Sequence, residues 1–353
     1  MRRCYSLLAL FFSVGMLALS VPAAQNALAK GNDARLCSTP PLPASIVSDV
    51  GRVYAIEPPE ISSTPEEEVT PATDAESAES LIASEPDIKQ PPVLNEPEVS
   101  RLRGLTPGNQ EIVVAVLDTG VDQNHEELEG QVIAETNFSK SFMLNDINGH
   151  GTHVAGIIAA KDNGLGITGV APGCSLLNVK VADDTGMCQA LALAKGIIWA
   201  ADNGANVINI SIEIGKPSAE LERAVNYAWN QGSLVIAAAG NSGRDLPVYP
   251  AYYENCLAIA AAGPDNNLAT LSNFGDWVDA VAPGMDIYSS LPDNNYGFKS
   301  GTSFACAYVS GIGALLFDVV SDTNHNDRLN DEVRAIIESG CQEIDLAGIA
   351  GSL

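Results

Sequence analysis

Residues 112–117, Ile-Val-Val-Ala-Val-Leu, form an unbroken apolar run that stops at Asp118-Thr119-Gly120. A strand with one wet face alternates apolar and polar residues, so a run that is apolar throughout has to be covered on both sides. Runs at 175–181, 206–211, 234–239 and 257–262 make the same demand. Helical patterns lie among them, at 189–201, 218–230 and 302–320, and an amphipathic one follows at 330–339. Strands alternating with helices imply an α/β fold with a parallel central sheet and helices on both faces. In such sheets function gathers at the carboxyl ends of the strands.

The stretch ahead of this pattern has a different character. Arg2 and Arg3 precede an apolar run from Leu7 to Leu19, and small residues follow at Ala23, Ala24, Ala27 and Ala29. That is the order of a secretory signal, and the run is shorter than the roughly 20 residues a spanning helix needs. Residues 1–29 are therefore expected to be a signal peptide. The mature chain is expected to be secreted, to the medium, periplasm or cell surface, with no membrane association after its removal. Residues 30–100 are acidic and proline-rich, with Glu66, Glu67, Glu68 and Asp74 among prolines 58, 59, 65 and 71. They have no apolar periodicity to bury and read as a disordered propeptide or linker. The folded domain is placed at 101–353. The net charge of −26 repels polyanions, so nucleic acid is not an expected partner. After signal removal Cys37, Cys174, Cys188, Cys256, Cys306 and Cys341 would meet an oxidising compartment, and the sequence does not pair them. Cys306 lies in an apolar helical stretch and reads as a buried thiol.

Four short motifs carry the chemistry: Asp118-Thr119-Gly120, His150-Gly151-Thr152-His153, Gly301-Thr302-Ser303-Phe304 and Ala239-Gly240-Asn241. Singly, each has an ordinary explanation. An aspartate after a strand forms turns, a serine opening a helix is an N-cap, and His153, one turn inside a helix, reads as a satisfied core residue. A two-histidine metal site lacks a third ligand. Jointly they say more. A serine nucleophile needs a base, and that base needs a carboxylate to hold its tautomer. Asn241 adds a side-chain amide able to donate to an oxyanion.

With these motifs, over about residues 105–345, the chain resembles the subtilisin-like serine proteases. The resemblance implies that Asp118 orients His150, that His150 shuttles the Ser303 proton, and that Asn241 and the Ser303 N–H hold the oxyanion. It implies polypeptide substrates bound as an added strand between Asp184-Thr185-Gly186-Met187 and Ser211-Ile212-Glu213. The pocket ahead of the scissile bond would lie between 211–213 and 238–241, with Gly240 in one wall and Val248 at the floor. Val248 then favours small or medium apolar side chains, while Glu213, replacing a usual glycine, adds a negative charge that favours a basic group. No catalytic cofactor is implied. A structural Ca2+ is, held by Glu127, Asn163 and the carbonyls of Lys161, Leu165 and Ile167. A second run, Asp322, Asn324, Asn326 and Asn330, has Val333 where a bidentate acid should stand. Two alternatives stay open: a catalytically silent peptide-binding scaffold and a processing protease of narrow specificity. Ala307 departs from the family, which usually has proline there, and the stretch before Glu111 does not look like its usual folded propeptide.

Overall fold

A computed structural model of the chain describes residues 96–340. The signal and most of the acidic segment, with Cys37 and Cys341, lie outside the described residues. Each apolar run becomes a strand: β1 (Val113–Asp118), β3 (Ser175–Lys180), β4 (Val207–Ile210), β5 (Leu234–Ala238) and β6 (Cys256–Ala262). With β2 (Val132–Asn137) and β7 (Ala280–Pro283) they form a parallel sheet in the order β2-β3-β1-β4-β5-β6-β7. The chain leaves β1 toward one edge, returns, and then builds the other half. β1 is thus the switch point at which ligands bind beyond the carboxyl ends.

The layers explain the unbroken apolarity. Val114 and Val116 pack with Val154 of α2 (His150–Ala159) and Val309 and Ile312 of α5 (Thr302–Val319). Val113, Ala115 and Leu117 face the other way, onto α3 (Ala190–Asp202) and α4 (Ala219–Asn230) through Leu193, Ile197, Leu221 and Val225. Alternate side chains enter different cores, so no position can be polar. Val333 and Ile337 of α6 (Asn330–Glu338) join the α5 side.

The differences from the sequence reading have local causes. β2 is an edge strand whose burial alternates, so Glu135 and Asn137 break the apolar run. The hairpin of β8 (Ile287–Leu291) and β9 (Asn295–Lys299) is too polar to announce itself. Helix α1 (Glu96–Arg103) starts ahead of the boundary drawn at residue 100 and buries Val99 and Leu102 completely. Cys174, Cys188, Cys256 and Cys306 are buried free thiols. Burial pushes Cys306 up to about 12, which keeps it from forming a reactive thiolate.

Candidate active site

Asp118 ends β1 and is wholly buried. Its Oδ1 accepts the Thr119 N–H at 2.7 Å and lies 2.7 Å from His150 Nδ1. His150 is the first residue of α2, and the glycine after it is what lets the helix approach so closely. A Cβ at Gly151 would stand 2.1 Å from the Gly120 carbonyl oxygen and 3.0 Å from the Asp118 Cβ. With Nδ1 turned to the carboxylate, Nε2 faces the opposite way, and the ring packs 5.5 Å from that of Phe304, next to Ser303.

Two residues that the sequence reading passed over hold this corner. Asp146, almost fully buried, accepts from Gly149 N and Thr152 N, both at 2.8 Å, and from the hydroxyls of Thr119 and Thr152. It fixes the loop that delivers His150, and an aspartate shortly before a helix start was its only signal in the sequence. Lys180 ends β3 with no exposed surface. Its ammonium donates to the carbonyls of Thr119 and of Asn145 (3.1 Å) and pairs with Asp184 at 2.8 Å. That hydrogen bond holds the Asp184 carboxyl below its usual range. One buried cation thus ties the Asp118 strand end, the loop before His150 and the 183–187 loop together.

Ser303 sits in the first turn of α5, where backbone N–H groups have no helical acceptor. Its hydroxyl donates to the Ser211 carbonyl at 3.3 Å, and the Ser211 hydroxyl donates to the Ser303 carbonyl at 2.9 Å. In this conformation the Ser303 proton is not on His150; hydrogen bonds of resting sites commonly tighten only around substrate. Asn241 follows β5. Its Oδ1 accepts from Thr302 N at 2.8 Å and Thr302 Oγ1 at 3.0 Å, which fixes the amide and leaves Nδ2 as an available donor. Strand ends and helix starts thus bring Asp118, His150, Ser303 and Asn241 to one edge.

The other expected contacts are placed as follows. Gly186 takes a left-handed φ of 84° in the turn closed by Gly186 N–H to the Asp183 carbonyl, and Met187 is partly exposed. Ile212 is half-buried beside Ser211. Glu213 turns its carboxylate inward, onto Gly240. Val248 is buried in the core on the α3–α4 side with Ile214 and Tyr253. Glu127 is fully buried; Oε1 accepts from Ile167 N (3.1 Å) and the Tyr296 hydroxyl (2.9 Å), and Oε2 from Asn163 Nδ2 (3.2 Å). The second run folds onto itself: Asp322 accepts the N–H groups of His325, Asn326 and Asp327, while Asn324 and Asn326 donate to Asp331.

His153 is the core histidine expected, with Nε2 donating to the Gly297 carbonyl at 3.1 Å and the ring 4.7 Å from Phe304. Burial lowers it from 6.5 to about 4. The fold keeps it neutral where the unfolded chain protonates it. Its contribution is complete above pH 6.5, is lost as the pH falls toward about 4, and is then constant. The loss over that window should be about 3 kcal/mol. Urea midpoints of the parent and His153→Gln between pH 7.5 and 4 will check it; equal losses in both would assign the acid sensitivity elsewhere.

The model of the subtilase family, peptidase S8, matches residues 109–342. A thermophilic serine proteinase of Bacillus sp. (strain AK1) is 44% identical over 246 residues, 69% of this chain and 60% of that protein. Thermitase of Thermoactinomyces vulgaris is 43% identical over 237 residues, 67% of this chain and 82% of the other. Subtilisin Savinase of Lederbergia lenta is 43% identical over 219 residues, 61% of this chain and 78% of the other. The match thus spans less than two thirds of the first relative and most of the other two.

Proposed function

The chain belongs to the subtilase family of serine-type endopeptidases, and on that premise we propose that it is secreted and hydrolyses polypeptides through an acyl-enzyme on Ser303. The observation that carries this reading is the 2.7 Å contact of buried Asp118 with His150 Nδ1, at the same edge as Ser303 and Asn241. With Nδ1–H held by the carboxylate, Nε2 is the basic nitrogen. It takes the hydroxyl proton as Oγ attacks the carbonyl carbon, and the imidazolium that forms is stabilised by Asp118. Charge collects on the carbonyl oxygen, and in this reading the Asn241 amide and the Ser303 N–H donate to it. His150 then protonates the leaving amine, and water reverses the sequence to free the acid. Secretion rests on the order of Arg2, the apolar run and Ala29. A fluorophosphonate probe tests the centre: labelling of the full chain should map to Ser303, and an unlabelled chain would favour the peptide-binding scaffold.

The same reading includes a structural Ca2+ at the 161–167 loop. Glu127 is a fully buried carboxylate with only uncharged donors, and no basic side chain pairs with it among the described residues. The carbonyls of Lys161, Leu165 and Ile167 accept no hydrogen bond among the described residues. One carboxylate among carbonyl oxygens suits a hard cation. It is also a set with no cluster of three acidic, His or Cys side chains. Calcium at a hundredfold excess over its Kd stabilises by about 2.7 kcal/mol, so chelation should lower Tm by roughly 5–10 °C. A Tm that ignores both chelator and added calcium would leave the loop closed by Glu127's own hydrogen bonds.

A further inference from the structure

Asn273 lies between β6 and β7 and has no exposed surface. Its side-chain amide is used entirely on the loop that leaves β5. Oδ1 accepts the Ser242 N–H and hydroxyl, both at 3.0 Å, and the Arg244 N–H at 3.4 Å. Nδ2 donates to the carbonyls of Ala239 at 2.9 Å and Leu246 at 3.3 Å. The backbone N–H of Asn273 donates to the Gly240 carbonyl at 2.9 Å. Backbone N–H groups only donate and carbonyls only accept, so the amide fits in one orientation. It also stands where a side chain on Gly240 would go, since a Cβ there would lie 2.6 Å from Nδ2. The loop itself turns on Gly240 and Gly243, with left-handed φ of 97° and 63°, residues that resist displacement least.

Asn241 sits inside this set of bonds. The end of its side chain is fixed by Thr302, whose N–H and hydroxyl hold Oδ1. Its backbone is fixed from the two neighbours, Gly240 and Ser242, and both of those are held by Asn273. The direction of Nδ2 therefore depends on Thr302 at one end and on Asn273 at the other. A donor to an oxyanion counts only within about 2.7–3.1 Å of where that oxygen comes to lie in the transition state. We propose that Asn273 is a positioning residue, which acts through the 239–246 loop to aim the Asn241 amide at the oxyanion. This rests on the endopeptidase reading and extends its machinery to a residue on a different part of the sheet. Because the charge exists only in the transition state, a loosened loop costs kcat and leaves KM nearly as it was.

The test is a double-mutant cycle in the full chain, with one peptide substrate and a temperature at which circular dichroism shows every variant folded. Asn241→Ala should lower kcat about a hundredfold to a thousandfold, a size taken over from subtilisin's own oxyanion asparagine. Asn273→Ala should lower it about tenfold to a hundredfold, as a small displacement of a catalytic group does. The double variant should be no more than about twofold slower than Asn241→Ala, because a donor already removed cannot be misdirected. An equal loss from Asn273→Ala in both backgrounds overturns the positioning role and makes the residue a structural one. So does an unchanged kcat in Asn273→Ala where Asn241→Ala is slow. A full-speed Asn241→Ala overturns the oxyanion assignment and the proposal with it, and a parent that cuts no peptide overturns the endopeptidase reading. Asn273→Asp keeps the shape and the oxygen facing Ser242, loses the donor to Ala239 and Leu246, and serves the same cycle where the alanine variant does not fold.

Discussion

Ser303→Ala is expected to lower kcat by about a millionfold, a size taken over from subtilisin's own nucleophile, while Tm barely moves. The two effects separate because the hydroxyl has little structural work. It donates one hydrogen bond, at 3.3 Å to the Ser211 carbonyl, and such a bond is worth about 1 kcal/mol. The chemistry loses far more, since in the proposed mechanism Ser303 alone forms the acyl bond. Some acceleration should remain, because Asn241 and its Thr302 anchor are untouched and can still polarise a bound carbonyl toward water. His150→Ala should cost nearly as much, and the double variant little more than either, because base and nucleophile act as one unit. Fluorophosphonate labelling should vanish with Ser303→Ala. A variant that keeps a hundredth of the parent's kcat would place the nucleophile elsewhere.

Which features could be read ahead of the structure depended on whether their cause was local. The strand at 112–117 declared itself because both of its faces are buried; β2 did not, because none of its residues is fully buried. Gly151 was readable as part of a motif, and its reason is a close contact between neighbouring elements. Lys180 and Asp146 were not readable. Lys180 draws its meaning from three loops that converge only in space, and Asp146 from joining Thr119, across space, to Gly149 and Thr152 nearby; in the sequence they are one lysine at a strand end and one aspartate in a polar loop. Glu213 falls between these cases. The sequence offered a charge near the expected pocket, but its inward turn depends on the bare backbone of Gly240, from a different strand end.

Lys180→Met should cost about 4 kcal/mol and lower kcat/KM about a hundredfold at temperatures where the protein stays folded. Methionine fits the apolar stem but donates nothing. The carbonyls of Thr119 and Asn145 lose a donor, and a buried acceptor left unmade costs about 1–3 kcal/mol. Asp184 loses its cation, but its side chain is 35% exposed, so water takes over part of that role. The total then falls within the 3–5 kcal/mol typical of removing one partner of a buried pair. At roughly 2–4 °C per kcal/mol for a domain of this size, Tm should drop by about 8–16 °C. The kinetic loss has a separate origin. Thr119 follows Asp118, Asn145 leads to His150, and Asp184 lies within the turn carrying Gly186 and Met187. Releasing all three lets His150 and the proposed substrate edge drift, and a displacement of about 1 Å can cost a hundredfold. KM should rise as kcat falls, since both the chemistry and the binding edge are affected. Lys180→Arg should not rescue, because a planar five-donor fork cannot replace a point ammonium among these acceptors. Thermal melts and peptide kinetics at 25 °C on the same preparations decide the matter. A lowered Tm with unchanged kcat and KM would reduce Lys180 to a packing residue.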